Sequence, residues 1–223
     1  TVDPWAMLPG VSLLFAYAAT REGEWRAHTS VETLELGVGK TAAAASLTRR
    51  LMQGPRVHAV VLVGVCGAYP EEHLSGGSEG RTLLDLCVVT RESFGDEGVL
   101  TPDGFLSVRD LGFADDVPLA ACEARSARVA KLLGAHTSVG LTVSSCSGTD
   151  ELSRIRGGWG AAVESMEGAS VAFVCQHHQI PWVQLRCVSN YTGDRAPEKW
   201  RLDEALERLA EATRSIAEME GLA

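Results

Sequence analysis

Short apolar runs that alternate with helical patterns constrain the fold of this chain more than any other feature. Each run is rich in β-branched or other apolar residues, is too short for a typical helix, and ends in polar or turn-forming residues. The runs lie at 12–19, 58–65, 83–90, 137–144 and 182–189. Because several of them are apolar throughout, they indicate strands that are buried on both faces of a sheet.

Helical patterns occupy stretches between these runs. The first is rich in alanine, and the last has apolar residues close to the i, i+3, i+4, i+7 spacing of an amphipathic helix. The predicted helices cover 40–52, 126–133, 168–178 and 202–219. This alternation predicts the α/β class, with a central mixed β-sheet between helices in a three-layer α/β/α sandwich. Ligands bind such sheets beyond the carboxyl ends of strands, so residues that follow the strands are the first candidates for function.

Composition limits the classes of function. Lysine and arginine number 20 against 29 acidic residues, a net charge of −9, which argues against nucleic acid as a partner. No apolar run is long enough to span a bilayer, so no membrane partner is expected. A hydrophobic share of 45% with 22% charged residues is ordinary for a soluble globular protein. We expect one domain over 12–223, preceded at 1–11 by a loose terminus or a cloning remnant.

The cysteines show no pattern of a metal site. They are scattered, without a CxxC pair. They stand at Cys66, Cys87, Cys122, Cys146, Cys175 and Cys187. In an apolar chain of this length, buried thiols in a reducing compartment are the commoner arrangement, which favours a cytoplasmic location.

Two features that could bind phosphate or metal fail on spacing. The segment 36–41 (LGVGKT) has the residue types of a phosphate-binding loop, but the GxxxxGK[ST] pattern requires a glycine where Leu34 stands. His177 and His178 are adjacent on a predicted helix and point in different directions, so they cannot share a metal ion as an i, i+4 pair can. We therefore predict no metal and no cofactor.

Two polar residues at the ends of predicted strands are ambiguous by themselves. Glu167 lies directly before a helix of small residues, where an acid can either cap the helix or face a ligand. Asn190 ends a buried strand, where it can either form an Asx-turn or face the same crevice. The residues alone leave both alternatives open.

A set of motifs in a fixed order resembles the nucleoside phosphorylase and nucleosidase superfamily. These motifs are GVGK at 37–40, GVCGAY at 64–69, ESMEGAS at 164–170 and LRCVSN at 185–190. Further segments resemble the futalosine hydrolase family within it, namely SFGD at 93–96, TVSSCSGT at 142–149 and SNYTGDRAPEKW at 189–200. That family acts in the futalosine route to menaquinone, and its relatives are often dimers, which implies a homodimer.

The resemblance implies a purine nucleoside as the small-molecule partner and assigns residues to it. Glu167 binds the ribose hydroxyls, Met166 packs against the sugar, and Asn190 meets the purine, with Ser165 as a further substrate-binding residue. A carboxylate beside the ribose opposes the positive charge of an oxocarbenium-like transition state, and a hydrogen bond to the departing base stabilises its negative charge. These roles suit the residue types that stand at the four positions.

The segment Cys66, Gly67 and Ala68 resembles the turn that lines the nucleoside site in this superfamily. Missing or small side chains there let backbone groups approach the ligand. A nucleophilic role for Cys66 is not expected, because glycosyl transfer to water needs no thiol.

The residue that activates water falls in an acidic segment after the first strand. In the hydrolases a glutamate stands there, and an ungapped placement puts Gly23 at its position. A shift of one residue gives Glu24 or Glu22. We favour Glu24, because the residues at 24–27 resume the helical pattern of the family.

The same segment bears on the choice between water and phosphate as the attacking group. A phosphorylase needs a preformed anion site, and the resemblance places it in this turn. Glu22 and Glu24 would repel phosphate, which favours hydrolysis, whereas Arg21 keeps phosphorolysis open.

Asn190 bears on the choice of base. Relatives that select adenine carry an aspartate here, whereas an amide can donate a hydrogen bond to a 6-oxo group. We therefore expect hydrolysis of futalosine to hypoxanthine and dehypoxanthinyl futalosine. The alternatives are a methylthioadenosine/S-adenosylhomocysteine nucleosidase, a purine nucleoside phosphorylase, and a nucleoside-binding protein without catalysis. Arg195 and Lys199 are available to the benzoate end of futalosine but are equally consistent with solvated surface charges.

Overall fold

The computed structural model describes residues 12–28, 31–75, 79–102, 104–113 and 118–219. The segment 1–11, expected to be a loose terminus or a cloning remnant, lies outside the described residues. The strands are β1 Leu13–Tyr17, β2 Glu32–Glu35, β3 Ala59–Ala68, β4 Leu86–Phe94, β5 Gly98–Thr101, β6 Gly104–Ser107, β7 Leu119–Ala120, β8 His136–Thr142, β9 Val163–Ser165 and β10 Trp182–Tyr191. The α-helices are α1 Lys40–Gln53, α2 Glu123–Leu133, α3 Asp150–Gly157, α4 Gly168–His177 and α5 Leu202–Met219. Short 3-10 helices cover Thr20–His28, Glu71–His73 and Pro197–Lys199.

The main sheet is mixed and partly closed. From its outer edge it runs β2, β1, β3, β10, β4, β8 and β9, and β9 then pairs with the end of β3. Five strands therefore form a ring, with β1 and β2 extending from it. The pairs β1 with β2, β1 with β3, β3 with β10, β4 with β8 and β8 with β9 are parallel, whereas β10 with β4 and β3 with β9 are antiparallel.

Helices cover both faces of this sheet. Residues of α1 and α4, such as Leu47 and Val171, pack with Leu62 of β3 in one buried cluster. Residues of α5, such as Leu209, pack with Val61 of β3 in the cluster on the opposite face. Successive residues of a strand face opposite sides, so an apolar run buries both faces at once. The predicted α/β class, with a mixed sheet between helices, is confirmed.

Two predicted strands are longer than their apolar runs. β3 continues through Cys66, Gly67 and Ala68, which were expected to form a turn, and β10 continues through Asn190. The cause is their mutual parallel pairing, which runs to Ala68 and satisfies backbone groups that a turn would leave free.

The direction of the strands determines where a site can form. β1, β3 and β10 are parallel neighbours, so their carboxyl ends meet at one edge, where the turn from β9 into α4 also lies.

None of the helices in the described ranges is long and apolar enough to cross a membrane.

Candidate active site

Glu167 stands at the turn between β9 and α4, with its side chain buried. It occupies the N-cap position of α4 but makes no side-chain cap hydrogen bond there. Its Oε1 instead accepts from the backbone N–H of Gly39 at 2.9 Å, across the site. Burial raises the pKa of Glu167, while the charge of Arg186, whose Nη2 lies 3.7 Å from Oε2, acts against that rise. Helix capping therefore does not account for this glutamate.

Glu22 lies in the 3-10 helix after β1, and its carboxylate is also buried. Oε2 accepts from the backbone N–H groups of Ala18 at 3.0 Å and Ala19 at 3.2 Å, and Oε1 accepts from that of Val65 at 2.8 Å. These bonds hold the carboxylate at the carboxyl ends of β1 and β3. Glu22 Oε1 and Arg186 Nη1 both lie against Gly64, and Arg186 Nη2 lies 3.7 Å from Glu167 Oε2, so the two carboxylates share one site. The negative charge of Glu22 contributes to the raised pKa of Glu167.

Glu24 and Arg21 lie on the outer side of the same 3-10 helix. Glu24 is exposed, and Arg21 is exposed and pairs with Asp203 of α5. Between Glu22 and Glu24, Gly23 packs directly on the ring of Tyr17. The structure thus brings Glu22 to the buried site and leaves Glu24 in solvent, which speaks against the preference for Glu24.

Arg186 is a site residue that the sequence analysis did not single out. It lies in β10 with 1% of its surface exposed, and its Nη1 donates to the carbonyl of Val65 at 3.2 Å. Its Nε and Nη2 have no hydrogen-bond partner among the described residues. A charged residue within an apolar strand is the signal that could have revealed it, because buried arginines are rare unless they are paired.

Gly64 of β3 makes room for Glu22 and Arg186 to approach each other. A Cβ placed on Gly64 would lie 2.3 Å from Arg186 Nη1 and 2.8 Å from Glu22 Oε1. Both distances are far below van der Waals contact, so any side chain at this position would displace the two charged groups. The absence of a Cβ is therefore a requirement of this charge arrangement.

Asn190 lies half-buried near the end of β10, beside Gly67. The pairing of β10 with β3 shifts register between Val188 and Asn190, so Ser189 is an extra residue and Asn190 lies opposite Gly67. Asn190 Oδ1 accepts from the Ser189 hydroxyl at 2.9 Å, and its Nδ2 donates to the carbonyl of Tyr191 at 2.9 Å. The structure brings the predicted base-contacting amide and the predicted lining segment together.

The remaining predicted site residues lie around this group. Cys66 and Ala68 are buried, and burial raises the pKa of the Cys66 thiol well above its usual value, so the thiol is not activated. Ser165 is buried, and its Oγ has no partner among the described residues, whereas Met166 is half-buried. Small and flexible side chains thus surround the charged centre.

A buried polar network supports the loop that leads from β8 to α3. Glu164 accepts from the Ser147 N–H at 2.8 Å and from the hydroxyls of Ser147 and Tyr69, each at 2.6 Å. Arg156 of α3 completes the network by donating to the carbonyl of Ser145 at 2.6 Å. Neither α3 nor this network was predicted from the sequence, because long-range contacts define them.

The segment 36–41 binds protein groups rather than presenting an open cradle. The Gly39 N–H is engaged with Glu167, and Lys40 Nζ contacts Asp96 at 2.6 Å and Glu97 at 2.9 Å. The described residues include no group of three or more histidine, cysteine, aspartate or glutamate side chains that could hold a metal ion.

Comparison with known proteins identifies the family of this chain. The sequence model of the Phosphorylase superfamily matches residues 21–219. The futalosine hydrolase of Thermus thermophilus is 35% identical over 194 residues, covering 84% of this chain and 81% of that protein. The futalosine hydrolase of Streptomyces coelicolor is 36% identical over 197 residues, covering 83% and 78%.

A solved structure gives independent support for the fold. The structure of a Helicobacter pylori MTAN mutant with 5′-methylthioadenosine in its active site has a TM-score of 0.77 and covers 94% of this chain and 99% of that one, at 19% identity. MTAN denotes 5′-methylthioadenosine/S-adenosylhomocysteine nucleosidase. At that identity the likeness shows the fold alone. Given the match over most of its length, the chain belongs to the Phosphorylase superfamily and, within it, to the futalosine hydrolase family.

Proposed function

We propose that this chain is an N-glycosyl hydrolase that cleaves futalosine to hypoxanthine and dehypoxanthinyl futalosine. The observation that carries the proposal is the pair of buried carboxylates, Glu22 and Glu167, that meet Arg186 at the carboxyl ends of β1, β3 and β10. Relatives at 35% and 36% identity are named futalosine hydrolases, which supports this choice of substrate.

Glu167 holds the ribose in this proposal. Its Oε1 is already fixed by the Gly39 N–H, so the remaining acceptor capacity of the carboxylate can receive the sugar hydroxyls. As the C1′–N9 bond breaks, the ribose gains positive charge, and a buried carboxylate opposes that charge more strongly than one in water.

Glu22 takes the role of the general base in place of Glu24. It lies in the buried site, and three backbone donors fix its orientation while leaving one lone pair of Oε1 free. Water gives a proton to Glu22 and the water oxygen bonds to C1′, while the C1′–N9 electron pair leaves on the purine. The purine takes up a proton from solvent and Glu22 returns its proton to solvent, so the step consumes one water in total. The unpartnered Nε and Nη2 of Arg186 are donors that can orient the water.

Asn190 recognises the base. Its amide is only half-buried and is bound to chain neighbours, so a modest rotation can direct Nδ2 to the 6-oxo group or the imidazole edge of hypoxanthine. An aspartate there would present only acceptors when ionised, which suits a 6-amino group. The amide therefore favours futalosine over 5′-methylthioadenosine.

The placement of the cations favours water over phosphate. Arg21, the residue that kept phosphorolysis open, turns outward to Asp203. Arg186 lies between two carboxylates, whose combined charge exceeds its own and would repel a phosphate dianion. Hydrolysis is thus the reaction that the charges support.

We also propose that the protein is a cytoplasmic homodimer that acts in menaquinone biosynthesis. Several cysteines are buried in apolar packing as free thiols, as in reducing compartments. Exposed apolar side chains gather near the β5–β6 hairpin, including Leu100 at 78% and Phe113 at 82% exposure. Exposed apolar clusters of this kind mark protein interfaces.

Incubation with futalosine in phosphate-free buffer tests the proposed reaction. Release of free hypoxanthine, followed by chromatography, is the expected result. Its absence, or turnover that begins only when phosphate is added, would overturn the proposal.

The second candidate, suggested by the fold shared with a nucleosidase, is cleavage of 5′-methylthioadenosine. A higher kcat/KM for that substrate would make it the preferred function.

A further inference from the structure

A further buried carboxyl lies beneath the start of α4, outside the group formed by Glu22, Glu167 and Arg186. Glu92 of β4 is 3% exposed. Its Oε2 accepts from the Thr142 hydroxyl at 2.9 Å, and its Oε1 accepts from Gln184 Nε2 at 2.8 Å. Side chains from three neighbouring strands of the ring, β4, β8 and β10, are thus hydrogen-bonded to one another at this carboxyl.

This cluster is connected directly to the helix that follows Glu167. The Thr142 hydroxyl accepts from the backbone N–H of Ala169, in the first turn of α4, at 2.7 Å. A hydroxyl has one proton, so donation to Glu92 turns a lone pair of Thr142 towards that N–H. An ionised Glu92 can only accept, so it fixes the Thr142 hydroxyl as a donor to the carboxylate and as an acceptor for this end of α4, which lacks a side-chain cap.

The first residue of α4 rests against the same carboxyl. A Cβ placed on Gly168 would lie 2.0 Å from Glu92 Oε1 and 2.9 Å from Gln184 Nε2. Because Gly168 is the next residue after Glu167, a change in the position of Glu92 would move the backbone that carries Glu167. The N-terminus of a helix also favours a negative charge at this place.

The cluster can accommodate both the protonated and the ionised form of Glu92. Gln184 Oε1 is buried and has no hydrogen-bond partner among the described residues, so it is a spare acceptor beside Glu92. A protonated Glu92 could donate to it after the amide rotates. The groups that face Glu92 are Arg186 of β10, the Cys66 thiol of β3 and the Thr142 hydroxyl of β8. Burial raises the pKa of Glu92 to about 7, so both states are accessible near neutral pH.

We propose that Glu92 is a positioning residue for the glycosidase reaction: its carboxylate, through Thr142, fixes the first turn of α4 and thereby the placement of Glu167 against the ribose. The inference rests on the role proposed for Glu167. In the structure Glu92 accepts from two donors, Thr142 and Gln184, as an ionised carboxylate does. The placement of Glu167 is therefore fully formed above neutral pH and is weakened when Glu92 is protonated.

Two variants test this role and a third serves as the control. None of them alters a group that is proposed to touch the substrate. Glu92→Gln preserves the shape of the side chain but cannot be ionised. Thr142→Val removes the bridging hydroxyl but leaves Glu92 in place. Glu123→Gln, at an exposed position in the first turn of α2, is the matched control. Circular dichroism and thermal melting establish that each variant is folded, and kcat and KM are measured from pH 5.5 to 8.5.

For the wild type and Glu123→Gln we expect kcat/KM to increase by about tenfold through a step near pH 7. Glu92→Gln and Thr142→Val should both lose that step and should have a kcat/KM at pH 8 about tenfold below the wild type. If Glu92→Gln fails to fold, Thr142→Val makes the same test. Retention of the step and of kcat/KM within about twofold by either folded variant would overturn the proposal. Failure of the wild type to cleave futalosine is a separate result, since the comparison can be made with whichever purine nucleoside it cleaves.

Discussion

The backbone N–H of Gly39 donates to Oε1 of Glu167 at 2.9 Å, so the start of α1 holds the carboxylate that stands at the start of α4. Gly39 adopts a φ of +94°, a conformation that residues with a side chain rarely adopt. The glycine-rich segment at 36–41 therefore has a role in this fold that needs no phosphate, because the Gly39 N–H orients the carboxylate that we propose holds the ribose.

Glu22→Gln should reduce kcat for futalosine hydrolysis by about 10²–10⁴-fold, because an amide cannot take a proton from water. The amide keeps the shape of the side chain, so futalosine should still bind, as calorimetry would show. Glu24→Gln is the matched control and should leave kcat unchanged, since Glu24 is exposed on the same 3-10 helix. A large loss of kcat in Glu24→Gln together with a normal rate in Glu22→Gln would reverse the assignment.

Gly64→Ala should inactivate the enzyme without unfolding it. The new Cβ would enter the space between Glu22 and Arg186, so we expect kcat/KM to fall by at least about a hundredfold. Gly148→Ala is a suitable control, because a Cβ there has its nearest neighbour at 3.9 Å, the carbonyl of Cys146. Kinetics and far-UV circular dichroism on both variants check the prediction. A Gly64→Ala enzyme of normal activity would show that the site does not require this close approach.

Asn190→Asp should move the base preference from 6-oxo towards 6-amino purines. The carboxylate accepts from a 6-amino group but offers no donor to a 6-oxo group when it is ionised. We expect the ratio of kcat/KM for futalosine to that for 5′-methylthioadenosine to fall by at least about tenfold. The ratio is measured by the release of hypoxanthine and adenine. An unchanged ratio would exclude Asn190 as the residue that selects the base.

Glu92 should make the fold less stable as the pH rises. Its pKa is about 7 in the folded protein against an ordinary value of 4.5. Between these values only the unfolded chain releases the proton, so stability is greatest below about pH 4.5 and is lost as the pH rises to about 7. Urea unfolding should show that the free energy of unfolding falls between pH 5 and pH 8 by about 2–3 kcal/mol more in the wild type than in Glu92→Gln. Parallel pH dependence in the two proteins would contradict the raised pKa.

Phe113→Ser should weaken the proposed homodimer. Phe113 is 82% exposed in the single chain, and its transfer to water on dissociation would be costly if a second copy covers it. Light scattering should show the wild type at twice the chain mass and the variant shifted towards the 23.7 kDa chain. Leu132→Ser, at an exposed apolar position on α2, should remain dimeric. A wild-type protein that is monomeric at micromolar concentration would rule out the dimer.

The strands and helices with strong patterns could be predicted from the sequence, and the remainder depends on long-range contacts. β2 has the polar sequence ETLE and lies at the edge of the sheet, where burial imposes no apolar pattern. α3 has eight residues, too few for a clear helical period. These elements are held by neighbours that are distant in the chain.

The candidate site could likewise be predicted only in part from the sequence. Glu167 and Asn190 could be identified because motifs surround them. Glu22 could not be separated from Glu24, because the choice depends on the N–H of Val65, 43 residues away. Glu92 lies after a register shift between Val89 and Arg91 of β4. Such a shift alters which side chains face inward, and no local pattern indicates it.

The extra residue at Ser189 makes the local pairing of β10 a determinant of the proposed base recognition. Adding or removing one residue in a strand turns every later side chain to the opposite face. Without the register shift, Ser189 would lie opposite Gly67 and Asn190 would lie opposite Ala68. Loss of this irregularity would move the amide proposed to read the base away from Gly67 without any substitution at position 190, a change that comparison of aligned positions alone would overlook.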